Sequence, residues 1–225
     1  FWNFSCFLCI LQLNFRWFWI FYFVGVVCTS LILLILVGYN VHLGSKLLQL
    51  VGLTIYLVHV SRRLYETLYI SVFSSNSTIN IFHFLLGITY YILTPVSQLL
   101  TLKVSEIRSF DLILCCFLLI LQYQQNICFR ILANLRTGNV NNDDDAYIIP
   151  KNHLFSYLSC PHFTIEILIY IVFTIYYRFF SAVAFCCLFV VVNQTIAAIL
   201  NHRWYMQKFG SDYPSSKRIL IPFIF

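Results

Sequence analysis

Glu166 lies in an otherwise apolar run, Ser-Cys-Pro-His-Phe-Thr-Ile-Glu, with His162 four residues before it. That spacing sets both side chains on one face of a helix. An ionisable group inside an apolar span is expensive and marks a ligand, a proton path or a partner charge. The plain alternative is a buried carboxylate paired with an arginine for structure alone. A second concentration is His59-Val-Ser-Arg62-Arg63-Leu-Tyr65-Glu66-Thr-Leu-Tyr69. It offers cations for a phosphate and donors for a carbonyl, and it also reads as arginines snorkelling at a membrane boundary with Glu66 between them. A third is Asn201-His202-Arg203-Trp204-Tyr205, followed by Lys208, Tyr213-Pro214 and Lys217-Arg218. As bare chemistry this basic, aromatic tail suits anionic headgroups as well as a soluble anion.

Other chemistry-bearing residues point to nothing built. The nine cysteines include Cys6-x-x-Cys9 and the neighbours Cys115-Cys116 and Cys186-Cys187. A zinc site needs four converging ligands, and this CxxC has no second pair. The six histidines show no HxxxH spacing, so no metal site is expected. The acidic run Asp143-Asp144-Asp145 reads as a solvated loop. Asn3, Asn76 and Asn193 each open a glycosylation sequon; Asn76 is expected on the cytosolic side and Asn193 within a span, so neither is expected to be modified.

The elements that must carry these residues are membrane helices. Of the chain's residues 60% are hydrophobic, 19% aromatic and only 10% charged, against roughly 25% charged in an average soluble domain. Fourteen Lys+Arg and eight Asp+Glu among 225 residues are too few to cover a globule of this size, so apolar side chains must face lipid. A helix needs roughly 20 apolar residues to cross the bilayer core. Six runs are read as spans: residues 17–41, 78–100, 109–128 and 179–200 reach that length, and 45–60 and 163–177 are shorter. The last two in chain order form a tight hairpin at Arg178. Residues 1–13 are apolar but short, the end of a further helix or a signal-like stretch. The chain starts at Phe1, not Met, and is expected to be a piece of a longer protein. The expected fold is all-α: one transmembrane domain over residues 1–225, a polytopic bundle of about six helices.

Six crossings define two sides. Arg16, Arg62, Arg63, Arg130, Arg136, Lys151, Arg203, Lys208, Lys217 and Arg218 fall on one side, and Lys46, Lys103, Arg108 and Arg178 on the other. The positive-inside rule makes the first side cytosolic. The two long polar segments, residues 134–152 and the tail after His202, lie on that side.

Taken together, these blocks resemble the steroid 5α-reductase family. The ending His202-Arg203-Trp204-Tyr205, Lys208-Phe209, Asp212-Tyr213-Pro214 and Ile-Leu-Ile-Pro-Phe-Ile-Phe looks like the family's C-terminus. The string Ser-Arg-Arg-Leu-Tyr-Glu-Thr-Leu-Tyr-Ile-Ser-Val-Phe-Ser over residues 61–74 is similar to the polyprenol reductase branch. So are Tyr157-Leu-Ser-Cys-Pro161 with Glu166, and Asn193-Gln194. The resemblance covers residues 58–225, with the blocks in the family's order; family members carry about seven spans.

The resemblance implies a multi-pass enzyme of the endoplasmic reticulum membrane, its C-terminus cytosolic, that uses NADPH to saturate a carbon–carbon double bond. By position, Arg63, Arg136, His162, Glu166, His202 and Tyr205 would line the cofactor site. Arg63 and Arg136 would meet phosphates with forked donors. Glu166 and His162 would hold the nicotinamide carboxamide, and His202 and Tyr205 would close the pocket. With no GxGxxG in the chain, a Rossmann domain is not expected. The family commonly has Asn where this chain has His162. Steroid-reducing members carry Tyr where this chain has Val60, and a Glu in an earlier helix, whereas no acidic residue precedes Glu66 here. Both departures argue against a steroid.

The implied substrate is therefore a long-chain isoprenoid lipid, and chemistry narrows it further. Hydride adds poorly to an isolated alkene, because the carbanion formed has no electron sink. A conjugated carbonyl provides one, with the charge delocalised onto an oxygen that a donor can stabilise. Polyprenal, the aldehyde, is accordingly expected over polyprenol, with dolichal the product on the way to dolichol for protein N-glycosylation. His59, Glu66 and Tyr69 are the candidate catalytic groups; His59 and Tyr69 would polarise the aldehyde oxygen or supply the proton. The expected partners are that lipid and the membrane, with no nucleic acid and no metal. The alternatives are a related reductase of a steroid enone or enoyl-CoA, a methyltransferase of the isoprenylcysteine type, and a non-enzymatic transporter or scaffold. Against a transporter, no inverted repeat or mid-membrane helix break is visible.

Overall fold

The structure, a computed structural model, describes residues 12–38, 47–72, 78–101, 107–137, 148–214 and 216–220. The Cys6/Cys9 pair, Asn3, Asn76 and the Asp143–Asp145 run lie outside the described residues. Among the described residues six helices carry the fold: α1 (Trp19–Gly38), α2 (Leu47–Tyr65), α3 (Ile81–Leu99), α4 (Ser109–Thr137), α5 (Pro161–Tyr176) and α6 (Ser181–Phe209). Among the described residues three of them, α1, α4 and α6, are long and apolar enough by themselves to cross a membrane, and α5 is a shorter apolar helix. Large apolar side chains remain outward on them, Leu34 69% and Phe185 71% exposed, the surface a lipid solvent calls for. The chain is thus an all-α membrane helix bundle, and the six helices fall on the six apolar runs of the sequence.

Helix direction alternates. The start of α1 meets the end of α2 through Tyr22 and Arg63, and the end of α1 meets the start of α2 through Ile32, Leu36 and Leu53. Phe21 and Phe84 bring the starts of α1 and α3 together, where a two-stranded antiparallel pair also forms, β1 (Gln12–Asn14) on β2 (Thr78–Asn80). This strand pair is not legible in the hydrophobic pattern. One end of the bundle therefore collects the start of α5 and the ends of α2, α4 and α6, with Arg62, Arg63, Arg130, Arg136, Arg203 and Lys208 among them.

The main core is built from α2, α4, α5 and α6, with Tyr56, Val60, Leu118, Ile169, Phe173 and Val190 among its buried residues. Gly52 allows its tightest approach. A Cβ there would stand 2.0 Å from the Tyr177 hydroxyl and 2.8 Å from Tyr176 Cε1, so only glycine admits both rings. In that space Tyr176 donates to the Leu48 carbonyl at 2.8 Å and Tyr177 to Gln98 Oε1 at 3.1 Å. At the same end Arg178 and Phe179 turn the chain at φ 57° and 55°. Such left-handed positions are strained for residues with a side chain. The turn is held by Arg178, which forks onto Asp111 at 2.6 and 2.7 Å.

Two helices run past the apolar limits read from sequence. At 1.5 Å per residue, 29 residues make about 44 Å, well beyond the roughly 30 Å of hydrocarbon. Both α4 and α6 have that length. Hydropathy measures the lipid-facing part of a helix, not the helix itself. The overhangs carry Arg130 and Arg136 on α4, and His202 and Tyr205 on α6.

Candidate active site

The last two turns of α2 and a single π-helical turn (Glu66–Ile70) bring His59, Arg62, Arg63 and Glu66 to one face. The π turn opens at Glu66, whose carbonyl accepts from Ser71 N at 2.7 Å; such turns recur at functional sites. His59 and Glu66 are wholly buried and Arg63 nearly so. Opposite them, Pro161 starts α5 at its first turn, where its missing N–H costs nothing. His162 and Glu166 follow, both buried. From α4 come Gln125 and Asn126.

Two buried carboxylates organise the cluster. Glu66 Oε1 accepts from Arg62 Nη1 at 2.5 Å and from Asn126 Nδ2 at 2.6 Å, and Oε2 accepts from Arg63 Nη1 at 2.6 Å. Glu166 Oε2 accepts from Gln125 Nε2 at 2.5 Å, and its Oε1 lies 3.4 Å from His59 Nε2. Gln125 links the two halves: its Oε1 accepts from Arg62 Nη2 at 2.5 Å while its amide nitrogen also reaches the His162 carbonyl at 3.1 Å. The Arg63 fork is completed by Tyr22, whose hydroxyl accepts at 2.8 Å, and its plane lies 3.8 Å from the centre of the Phe129 ring. Buried charge here is paired and hydrogen-bonded, as burial requires.

Some polar atoms of this region are buried without a partner. Among the described residues they are Arg62 Nε, His162 Nδ1 and both amide atoms of Gln122, one turn before Gln125 on α4. Unpaired buried donors and acceptors beside a carboxylate fit a polar ring system with an amide of its own. Arg136 lies eleven residues beyond Gln125, about 16 Å along α4, at the exposed end of the helix; its Nη1 donates to the Val72 carbonyl. An uncharged head among the buried groups and phosphates at the helix overhang would suit a reduced nicotinamide dinucleotide.

A second cluster stands beside the first. Ser159, just before α5, has its Oγ 2.6 Å from His202 Nδ1, 2.7 Å from the Tyr213 hydroxyl and 3.1 Å from the Arg218 carbonyl. Tyr213 stacks on Tyr205 at 5.5 Å. The tail is sewn to the start of α5 by a parallel bridge between Leu158 and Arg218 and by Thr164 Oγ1 donating to the Leu220 carbonyl at 2.8 Å. Lys217, 5% exposed, donates to the Pro150 carbonyl at 2.5 Å. Burial, reinforced by the charge of Lys151, pushes the Lys217 amine down to about 8. Burial also raises the Cys160 thiol to about 12, so this cysteine is inert as a nucleophile.

Of the residues singled out from sequence, the structure joins His59, Glu66, Arg63, His162 and Glu166 in one network. It places His202 and Tyr205 in the adjoining cluster under the C-terminal tail. Arg136 stands at the end of α4, and Tyr69 does not join: it is 75% exposed on the π turn, its ring against Tyr65 at 5.2 Å. Val60 is completely buried in the core and offers no donor. Sequence reading missed Gln125, Asn126, Tyr22 and Ser159. The signal for the first two was present, since Gln122, Gln124, Gln125 and Asn126 interrupt an apolar run with amides. Among the described residues no group of three His, Cys, Asp or Glu is arranged to hold a metal ion.

The fold and this site define a polytopic helical membrane protein with a buried, carboxylate-centred polar cluster at one end of its bundle. The family model described as 3-oxo-5-alpha-steroid 4-dehydrogenase matches residues 77–225, well over half the chain, and the chain belongs to that family. The polyprenal reductase of Caenorhabditis elegans is 32% identical over 191 residues, covering 78% of this chain and 60% of that protein. Those of Drosophila melanogaster and Danio rerio are 30% and 31% identical, covering 77% and 82% of this chain and 57% and 62% of theirs. The chain thus spans about three fifths of the length of these curated relatives.

Proposed function

We propose that this protein is an oxidoreductase that saturates the α-isoprene double bond of polyprenal, with NADPH as reductant, at the cytosolic face of the endoplasmic reticulum membrane. The observation that carries the reading is the Glu166–Gln125–Arg62–Glu66 network, buried inside a lipid-facing bundle and bordered by unpaired polar atoms. Family membership and the names of the relatives support the substrate class. When bound, the reduced nicotinamide supplies a hydride.

The chain's own residues do the rest. Glu166 and His162 orient the carboxamide end of the cofactor and so fix which ring face points into the bundle. The basic overhang of α4 and the His202–Tyr205 region of α6 hold the phosphate end. Helices α2, α3 and α5 exclude water from the reacting bond, so no solvent proton competes before reduction. The open, apolar flanks of α1, α4 and α6 leave room for an isoprenoid chain to lie in lipid while its functional end enters the bundle. Gathering of basic residues at this end of the bundle supports its cytosolic placement. The saturated aldehyde would then serve dolichol synthesis for protein N-glycosylation.

The test is NADPH oxidation by the purified protein in detergent, offered polyprenal, polyprenol and a steroid enone side by side, with Glu166→Gln as control. Turnover with polyprenal that the substitution abolishes is the expected result. Turnover with polyprenol alone would remove the electron-sink argument, and turnover with the steroid alone would overturn the substrate class. Oxidation of NADPH with none of the three would overturn the reading.

A further inference from the structure

Three tyrosines with buried hydroxyls gather one helical turn deeper in the bundle than the contact between His59 and Glu166. Tyr56 precedes His59 by three residues on α2, Tyr170 follows Glu166 by four on α5, and Tyr90 comes from α3. The Tyr90 ring stands 6.0 Å from that of Tyr170, and the Tyr56 and Tyr170 rings both pack on Phe173, at 6.0 and 6.4 Å. Tyr56 and Tyr170 are 0% and 3% exposed, and all three tyrosine oxygens are shut off from the surface. None of the three closes a hydrogen bond with another group, while the Thr94 hydroxyl is spent on the Tyr90 carbonyl at 2.8 Å. Buried hydroxyls are ordinarily paired. Three unpaired in one packed cluster, from three different helices, describe a place prepared for an oxygen that the described residues do not supply.

The surroundings sharpen the chemistry. The rings of Phe173 and Phe189 wall the cluster, at 6.0 Å from Tyr56 and 5.0 Å from Tyr90. The His59 ring stands 6.1 Å from Tyr56 and 6.2 Å from Tyr170. In such an apolar enclosure a phenol donates strongly to a developing negative charge, more so than in water. Among the described residues no carboxylate or guanidinium occupies the cluster itself, so the expected guest is an uncharged acceptor.

We propose that Tyr56, Tyr90 and Tyr170 form the oxygen-binding site for the substrate's conjugated aldehyde, with Tyr170 the proton donor. This rests on the reductase reading above and names the groups that complete it. As hydride from the reduced nicotinamide bonds to C3, the C2–C3 π pair moves to form C1=C2 and the carbonyl π pair moves onto oxygen. The resulting enolate is held by the phenol O–H groups. Tyr170 then gives its proton to C2, the carbonyl re-forms, and a proton from solvent, relayed through His59, restores the phenol. The balance is one hydride and one proton added across C2=C3, with the oxidised nicotinamide as the other product. An allylic alcohol in the same place could accept the hydrogen bonds but has no π bond to take the charge.

The test uses farnesal, a short isoprenoid enal, carrying a ¹³C-labelled carbonyl. Its infrared carbonyl stretch is recorded bound to the protein without cofactor, beside kcat and the dissociation constant for NADPH. The variants are Tyr56→Phe, Tyr90→Phe, Tyr170→Phe and all three together, which remove only the oxygens. Expected are a carbonyl stretch lowered by binding to the unaltered protein, a return toward the free value in the variants, and a fall in kcat of at least tenfold for Tyr170→Phe with NADPH affinity unchanged. A stretch and a kcat unmoved in the triple variant would overturn the proposal, and so would a fall in kcat with the stretch unmoved. A shifted stretch with no NADPH oxidation by the unaltered protein would support the oxygen site while removing the reductase reading. Neither shift nor oxidation would overturn both.

Discussion

Gln125 donates its amide to Glu166 at 2.5 Å, and this contact, beside the 3.4 Å approach of His59 to the same carboxylate, ties the carboxylate on α5 to the arginine–carboxylate network on α2. The reason is the double role of the glutamine, whose oxygen accepts from Arg62 at 2.5 Å. Replacing it by an apolar residue of similar size strands a donor on one side and an acceptor on the other.

Gln125→Leu is therefore expected to lower stability by about 1–3 kcal/mol, the cost of stranding a buried partner, and to reduce the proposed reductase turnover. Thermal unfolding in detergent and the NADPH assay measure the two effects. Gln125→Glu places a third carboxylate beside Glu166 and is expected to be worse, because like charges buried together cannot both stay ionised. A melting profile identical to the parent in both variants would show that the bridge carries no energy.

The opposite end of the bundle provides a contrast. Asp111→Asn removes the charged fork that holds Arg178 at its left-handed turn. A loss of about 1–3 kcal/mol in stability is expected, with the proposed NADPH binding unchanged, since this pair sits at the far ends of α4 and α5. Calorimetry of NADPH binding distinguishes this from the Gln125 variants: a weakened affinity would mean that the two ends are coupled.

Gly52 predicts a non-additive pair. Gly52→Ala drives a methyl group into the Tyr177 hydroxyl and is expected to cost about 1–3 kcal/mol, the usual range for overpacking. Tyr177→Phe deletes the nearest atom, 2.0 Å from the added carbon, but leaves Cζ at 2.7 Å. The double variant should thus recover part of the loss, and a double-mutant cycle on melting temperature would read the coupling. Strict additivity would contradict the close approach.

Much of this architecture was written in the chain, and its limits have physical causes. The six apolar runs placed six helices, because lipid contact demands apolar side chains whatever the neighbouring helices are. Glu166, His162, Arg63 and Glu66 stood out because charge inside such runs is costly. Tyr56, Tyr90 and Tyr170 did not, since a tyrosine is ordinary in an apolar helix and its significance arises only when three helices pack. The helix overhangs of α4 and α6 were invisible to hydropathy for the reason already given, that polar residues continue a helix beyond the lipid. Tyr69 shared a helical stretch with His59, yet the π turn at Glu66 changes the register and leaves it outside.

The tail cluster can be probed through a single hydroxyl. Ser159→Ala leaves His202 Nδ1 and the Tyr213 hydroxyl without their partner, and is expected to loosen the tail by about 1–3 kcal/mol. If His202 and Tyr205 hold the cofactor, the KM for NADPH should rise while the KM for the lipid stays constant. Equal change in both would place the tail against the substrate instead.

Lys217 gives that tail a pH dependence whose sign is fixed by its burial. Its amine titrates near 8 when the tail is docked, against about 10.4 for a lysine in water. Between those values the released tail binds more protons than the docked one, so docking strengthens as pH rises from 8 toward 10. Below 8 both forms are charged, and the burial penalty is present in full and constant. Hydrogen exchange at the backbone of Ser159 and Arg218, bonded to each other at 2.8 Å through Ser159 N and the Arg218 carbonyl, reports docking directly once corrected for the intrinsic pH dependence of exchange. Protection is expected to increase between pH 8 and 10 in the parent. In Lys217→Met, which keeps the apolar stem and removes the charge, protection should already be high at pH 7 and stay flat. A parent whose protection falls across the same interval would mean that the charged amine, bonded to the Pro150 carbonyl, holds the tail more firmly than the neutral one.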